Sequence, residues 1–244
     1  MNRLTEQYTI PCYDTDASWR LKPVSFMNYA QEMANRHASI LGFGYDDLIE
    51  SKTAWVLARM NIRFVNLPVW RDNVSLTTWH KGLNRLFFVR DFQMKDAQGN
   101  ICVEATTSWI VLNLETRRFV RDPKLMDEGT VCHDHVIEQP ADKVLVPKDI
   151  EAEYVMDHVV SYSDVDMLGH TNNAMYMQWA MDAVDYETAS SMPVKQVTIN
   201  FNHETKAGEC VSIYRAAIQK EDGLHVYVEG KVDGTSSFTV EIVF

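Results

Sequence analysis

Long apolar runs are missing from this chain, and so are several familiar catalytic signatures. No stretch approaches the roughly 20 apolar residues that span a bilayer, so no membrane insertion is expected. The opening residues, Met1 to Gln7, turn polar at once and hold no apolar signal core, which points to a cytoplasmic protein. Only four cysteines occur, Cys12, Cys102, Cys132 and Cys210, scattered and without a Cys-x-x-Cys pair. That usage argues against a disulfide framework and predicts reduced, mostly buried thiols. The string Cys132-His133-Asp134-His135 has metal-binding residue types, but adjacent loop side chains rarely converge on one ion. No second ligand cluster accompanies it, so neither a metal nor another cofactor is expected. There is no Gly-x-Ser-x-Gly elbow to expose a serine nucleophile. Basic residues are scarce: 23 Lys and Arg against 34 Asp and Glu give a net charge of −11. This excludes a generic nucleic-acid binder, which draws its affinity from phosphate neutralisation.

What is present reads as a folded, duplicated protein. Apolar residues make up 46% of the 244 positions and charged residues 23%, enough for a packed core. Two stretches begin alike, Tyr13-Asp14-Thr15-Asp16 and Ser163-Asp164-Val165-Asp166, each followed by a polar loop and an apolar-periodic run. In the first run Phe26, Tyr29, Ala30, Met33, His37, Ile40 and Leu41 share a helical face. Ser25 is its expected N-cap and Gly42 its expected stop. In the second, Met175, Tyr176, Trp179, Ala180, Ala183 and Val184 do the same, with Asn172 or Asn173 as cap.

Strand-like segments follow each helix. Ile62 to Asn66 and Asp72 to Trp79 recur as Ile199 to His203 and Glu209 to Tyr214. Phe64 and Phe201 lie 137 positions apart, as do Asp72 and Glu209. Shared register and spacing indicate a repeat. Phe87 to Met94 and Ile101 to Leu112 flank the turn Asp96-Ala97-Gln98-Gly99-Asn100, and Leu224 to Val232 and Ser236 to Phe244 flank Asp233-Gly234. The pattern predicts an α+β fold of two tandem units, 1–135 and 154–244, joined by a linker at 136–153 that carries Pro140 and Pro147.

The densest polar string is Asp164 to Asn173, between a strand and a helix start. His170 can exchange protons near neutral pH, and Asp166 could orient it or a water. Gly169, Asn172 and Asn173 sit where helix N–H groups would meet a developing negative charge. The first unit has Trp19, Arg20, Lys22 and Pro23 in this loop and no histidine. At the 137 offset Glu204 corresponds to Leu67, so both polar differences fall in the second unit. Glu204 is a candidate general base on water. Cys210 lies in a strand pattern and Thr205 has no marked base, which favours direct water attack over a covalent intermediate.

At these residues the chain resembles the acyl-ACP thioesterases of plants and bacteria over nearly its whole length. The likeness runs through Trp55 to Met60, Pro68-Val69-Trp70-Arg71-Asp72 and Ser108 to Arg118, then Asp164-Val165-Asp166, His170-Thr171-Asn172-Asn173 and Phe201-Asn202-His203-Glu204. The resemblance implies a double hotdog fold, each long helix wrapped by a curved antiparallel sheet. It implies hydrolysis of fatty acyl-ACP to free fatty acid, ending elongation, with acyl carrier protein and its phosphopantetheine-linked chain as partner. It carries the family's catalytic residues onto Asp166, His170 and Glu204, and places the acyl chain mainly in the N-terminal unit. The family's asparagine two positions after the aspartate is Leu168 here, so either Asn172, Asn173 or backbone N–H groups take its role or the activity is altered. The plant members' cysteine after the glutamate is Thr205. An acidic carrier meeting this acidic chain would need a basic patch. Candidates are Lys81, Arg85 and Arg90, with Arg117, Arg118, Arg121 and Lys124. Acyl-CoA hydrolysis and weak acyl-chain binding without turnover stay open as alternatives, a hotdog dehydratase fits less well, and a homodimer is compatible with the sequence.

Overall fold

Alternating burial sets the strands. In Asn73-Val74-Ser75-Leu76, Val74 and Leu76 are buried and their neighbours are not, as a sheet with one covered face requires. A computed structural model describes residues 2–120, 125, 127–147 and 150–244; Arg121 and Lys124 lie outside the described residues. The first half runs β1 (Leu4–Thr9), α1 (Pro23–Ile40), α2 (Tyr45–Glu50), β2 (Thr53–Phe64), β3 (Asn73–Asn84), β4 (Phe87–Asp96) and β5 (Ile101–Asn113). The second repeats the order as β6 (Glu153–Val159), α3 (Asn173–Asp182), α4 (Tyr186–Ser191), β7 (Gln196–Phe201), β8 (Cys210–Lys220), β9 (Gly223–Val232) and β10 (Thr235–Val243).

All strand pairs are antiparallel, in the order β1-β3-β4-β5-β2-β7-β10-β9-β8-β6. Read from either end, the order of one half mirrors that of the other. The halves join where β2 pairs with β7, from Arg59 opposite Asn200 to Arg63 opposite Gln196. The resulting ten-stranded sheet is the α+β arrangement expected. One core lies beneath both helices: Phe26 and Met33 of α1, Met177 and Trp179 of α3, and Ile62 and Ile199 of the central strands belong to a single buried cluster.

Several local expectations need correction. α1 starts at Pro23, with Lys22 as N-cap, and Ser25 is buried inside the first turn. Proline at the first helical position has its φ already set and gives up an N–H that has no partner there anyway. Gly42 does follow the helix end, at φ +80°. Two short helices, α2 and α4, were not anticipated. The thiols are less buried than expected: only Cys102 is buried, Cys132 is intermediate, and Cys12 and Cys210 are exposed. Between β5 and β6 the described chain has no strand and runs as a strap over the sheet. Val144 N–H donates to Asn200 Oδ1 (2.7 Å), and Asn200 Nδ2 donates to the Asp142 carbonyl (3.0 Å). Ile137, Ala141 and Val144 are buried beneath it.

Candidate active site

The loop before each helix is the same piece of architecture, copied 150 positions along. The Asp16 N–H donates to the Arg20 carbonyl (2.8 Å), and Asp166 N–H to that of His170 (2.9 Å). Lys22 N–H reaches Asp14 O (2.9 Å), and Asn172 N–H reaches Asp164 O (2.8 Å). The aspartate carboxylates play one part in both: Asp16 Oδ1 accepts from Ser18 N–H (2.8 Å) and Asp166 Oδ1 from Leu168 N–H (2.9 Å). The turn needs positive φ at its fourth residue. Trp19 adopts it at 66° and Gly169 at 79°, where glycine meets no Cβ penalty.

On this shared frame the halves diverge in chemistry. Arg20 lies across Asp16 (2.8 Å) and donates to the Ser190 carbonyl at the end of α4 (2.9 Å), so the first loop is a docking element. His170, at the same place in the second loop, turns its Nε2 toward Glu204 Oε2 at 3.7 Å. The other Glu204 oxygen accepts from Arg117 of the first half (3.0 Å). His170 and Glu204 are partly exposed, so water reaches them. The Asp166 carboxylate forms no hydrogen bond or ion pair with the His170 ring; it holds the loop through Leu168 N–H. Sequence reasoning placed Arg117 at a carrier-binding surface and missed this contact with Glu204, which spans 87 positions.

Asn172 caps α3, its Oδ1 accepting from Ala174 N–H (2.9 Å), and its carbonyl accepts from Met175 N–H (2.9 Å). The Asn173 N–H is left as the turn's candidate donor to a bound carbonyl. Behind it a buried hydroxyl chain links the loop to the segment bearing Glu204. Thr171 and Thr205 share a hydrogen bond (2.6 Å), and Tyr176 Oη lies 3.0 Å from Thr205 Oγ1 and accepts from Thr205 N–H (3.0 Å). Burial pushes the Tyr176 phenol up. Thr205 is therefore a buttress within this chain, with its hydroxyl engaged at both sides.

Asp164 anchors the same loop from below. Its buried carboxylate accepts from Ser161 N–H (2.7 Å) and Ser161 Oγ (2.9 Å), with His158 Nε2 at 2.9 Å. Burial alone would raise its pKa, but these hydrogen bonds outweigh burial and hold it below the usual carboxylate range. Its contribution is therefore complete above the unfolded value, about 3.9, and lost as pH falls through the lower folded value. Urea midpoints should stay level above about pH 5 and fall in acid. In Asp164→Asn the acid slope should shrink, and stability at pH 7 should drop by roughly 1.5–3 kcal/mol. An unchanged acid profile in the variant would remove Asp164 from this role.

A cavity of about 510 Å³ opens beside the loop. Asp166, Met167, Leu168, Asn172 and Asn173 contribute to its lining from the second half, and the rest comes from α1, α2 and strands β2 to β5. Ala38, Phe43, Leu48, Trp55, Phe88 and Trp109 make much of its wall apolar. Met167 and Leu168 are exposed and stand at its rim. His170 and Glu204 do not line it; His170 belongs to the lining loop, and Glu204 faces His170.

Two of the residues expected at a carrier-binding surface are not on the surface. Lys81 is buried and paired with the fully buried Asp91 (3.0 Å), because an inward-facing lysine persists only with a counter-charge. Arg90 is buried and lines the cavity. Arg85, Arg117 and Arg118 are exposed. Asp134 of the Cys132–His135 string pairs with Arg3, and among the described residues no group of His, Cys, Asp and Glu is arranged to hold a metal.

Comparison with known proteins agrees with this architecture. Residues 2–128 match the acyl-ACP thioesterase N-terminal domain and residues 147–244 the acyl-ACP thioesterase C-terminal domain. Oleoyl-acyl carrier protein thioesterase 1 of Arabidopsis thaliana is 26% identical over 223 residues, covering 84% of this chain and 61% of that protein. The chain thus spans between about half and three-fifths of the length of the curated relatives it matches. A crystal structure of an acyl-ACP thioesterase from Bacteroides thetaiotaomicron superposes with a TM-score of 0.88 at 26% identity, covering 99% of this chain and 97% of that one. The 12:0-ACP thioesterase of Umbellularia californica shares the fold, with a TM-score of 0.83 at 19% identity and coverage of 99% and 93%. The two halves are hotdog units, and the chain belongs to the acyl-ACP thioesterase family.

Proposed function

We propose that the protein hydrolyses fatty acyl-ACP to free fatty acid and carrier protein, ending elongation, in the cytoplasm. The observation that carries the reading is His170, facing Glu204, on the loop that lines a largely apolar cavity. The acyl chain occupies the unit at 1–135, and the unit at 154–244 supplies the chemistry across the linker at 136–153. Glu204 takes a proton from water, whose oxygen attacks the thioester carbonyl. The developing oxyanion is met by the Asn173 N–H, with the amides of Asn172 and Asn173 close by in place of the family asparagine lost at Leu168. Collapse breaks the C–S bond; the proton passes from Glu204 to the facing His170, which delivers it to the departing pantetheine thiolate. Asp166 and Gly169 act through the shape of the loop. Arg85 and Arg118 are exposed cations for the acidic carrier, and the absence of disulfides among the described cysteines suits a reducing compartment.

The test is turnover of acyl-ACPs of graded chain length beside the matching acyl-CoAs. The expected result is release of free fatty acid with a higher kcat/KM for the carrier-bound series. Faster turnover of the CoA series would reassign the substrate, and release from neither would leave an acyl-chain binder.

A further inference from the structure

The inner wall of the cavity carries a charge that a hydrocarbon does not need. Arg90 on β4 and His80 on β3 are directly opposite across the antiparallel pair, so their side chains stand on one face, and both line the cavity. They are 6% and 3% exposed. The guanidinium lies within hydrogen-bond distance of His37 Nδ1 (2.8 Å) and Thr78 Oγ1 (3.2 Å), and among the described residues it makes no ion pair. The cavity's own carboxylates, Glu32, Asp46 and Asp166, belong to its outer parts, and none pairs with it.

Burial lowers the Arg90 pKa to about 9, which leaves it charged at neutral pH. Burial, and then the charge of Arg90, lower His80 to about 4, so its ring is neutral. His80 Nε2 is buried without a hydrogen bond of ordinary geometry, and the ring has the Leu125 and Val89 backbone beside it. A buried cation with no ion pair among the described residues is a costly arrangement, and a plain alkyl chain laid against it would leave it so.

We propose that the cavity takes acyl chains whose far end carries a carboxylate, which Arg90 binds with His80 beside it. The proposal rests on the thioesterase reading for which end of the ligand enters. A carboxylate supplies the missing counter-charge and accepts from the guanidinium fork in the geometry that makes such pairs strong. Its charge also favours protonation of His80, turning Nε2 into a second donor. The apolar walls at Ala38, Phe43, Trp55 and Phe88 hold the methylenes between, which selects an anion on a hydrocarbon stem over a free inorganic one.

Trp55 and Trp109 line the cavity, so binding is read by intrinsic fluorescence. Methyl decanoate and the monomethyl ester of decanedioic acid share a chain and an ester that stands in for the thioester; they differ only at the far end. The unaltered protein should bind the half-ester roughly tenfold or more tightly. The preference should vanish in Arg90→Gln and shrink in His80→Phe. Equal or tighter binding of methyl decanoate by the unaltered protein overturns the proposal, whether or not the variants fold. Hydrolysis of decanoyl-ACP, measured alongside, separates the two readings. Turnover without half-ester preference sinks the carboxylate site alone, whereas preference without turnover of any acyl-ACP keeps it and sinks the thioesterase reading.

Discussion

Glu204→Gln and His170→Ala should each lower kcat for acyl-ACP hydrolysis by roughly 10²–10⁴-fold, the range general acid–base groups supply. Stability should hardly move, because both side chains are partly exposed and surface changes of this kind stay within about 0.5 kcal/mol. The pair with Arg117 does not alter that expectation, since exposed ion pairs contribute at most about 1 kcal/mol. Asp166 separates loop geometry from chemistry. Asn keeps the oxygen that accepts from Leu168 N–H, so Asp166→Asn should retain far more activity than Asp166→Ala if the carboxylate serves the loop. Full activity in both the His170 and Glu204 variants, assayed by released thiol, would dismantle the site. Equal loss in Asp166→Asn and Asp166→Ala would give that carboxylate a chemical part of its own.

Trp179→Ala should cost about 3–5 kcal/mol, as large aromatic truncations in packed cores do. Domains are stable by only about 5–15 kcal/mol, so this variant approaches unfolding at moderate urea. The indole is almost wholly buried, tilted against His158 at 4.4 Å and set edge-on to Tyr176 at 5.2 Å, with Phe238 at 6.2 Å. The far side of Phe238 is tight as well: a Cβ placed on Gly230 would lie 2.1 Å from its ring, so Gly230 is glycine to admit it. Little slack remains to refill the hole. Trp179→Phe should cost less, since it keeps a ring and removes an indole N–H that has no partner. A midpoint shift in Trp179→Ala equivalent to less than about 1 kcal/mol would mean the core collapses into the space.

The parts of the fold visible in the sequence were those governed by local chemistry. Asp233-Gly234 announces its hairpin, and Asn172 announces the start of α3, because turns and caps are settled within a few residues. The six-residue helices α2 and α4 escaped notice because helices that short are marginal alone and depend on tertiary contacts. Lys81 and Arg90 were misplaced for a related reason. Residue type favours the surface for both, and only the partner strand and the cavity draw them inward. The nearness of His170 to Glu204 was foreshadowed by the repeat offset, since both stand out against the first copy. The reach of Arg117 to Glu204 joins the two halves and has no local signature at all.

The mirrored strand order has a consequence for how such a protein can change. Two identical subunits meeting along one strand pair must carry the same residue at both equivalent positions, so whatever suits one site is imposed on the other. Here the equivalents are encoded separately, and position 20 need not follow position 170. One copy keeps arginine to clasp the end of α4 while the other keeps histidine facing a glutamate. Covalent linkage thus lifts a constraint of symmetry, and each half can hold its own residue at a shared position of the fold.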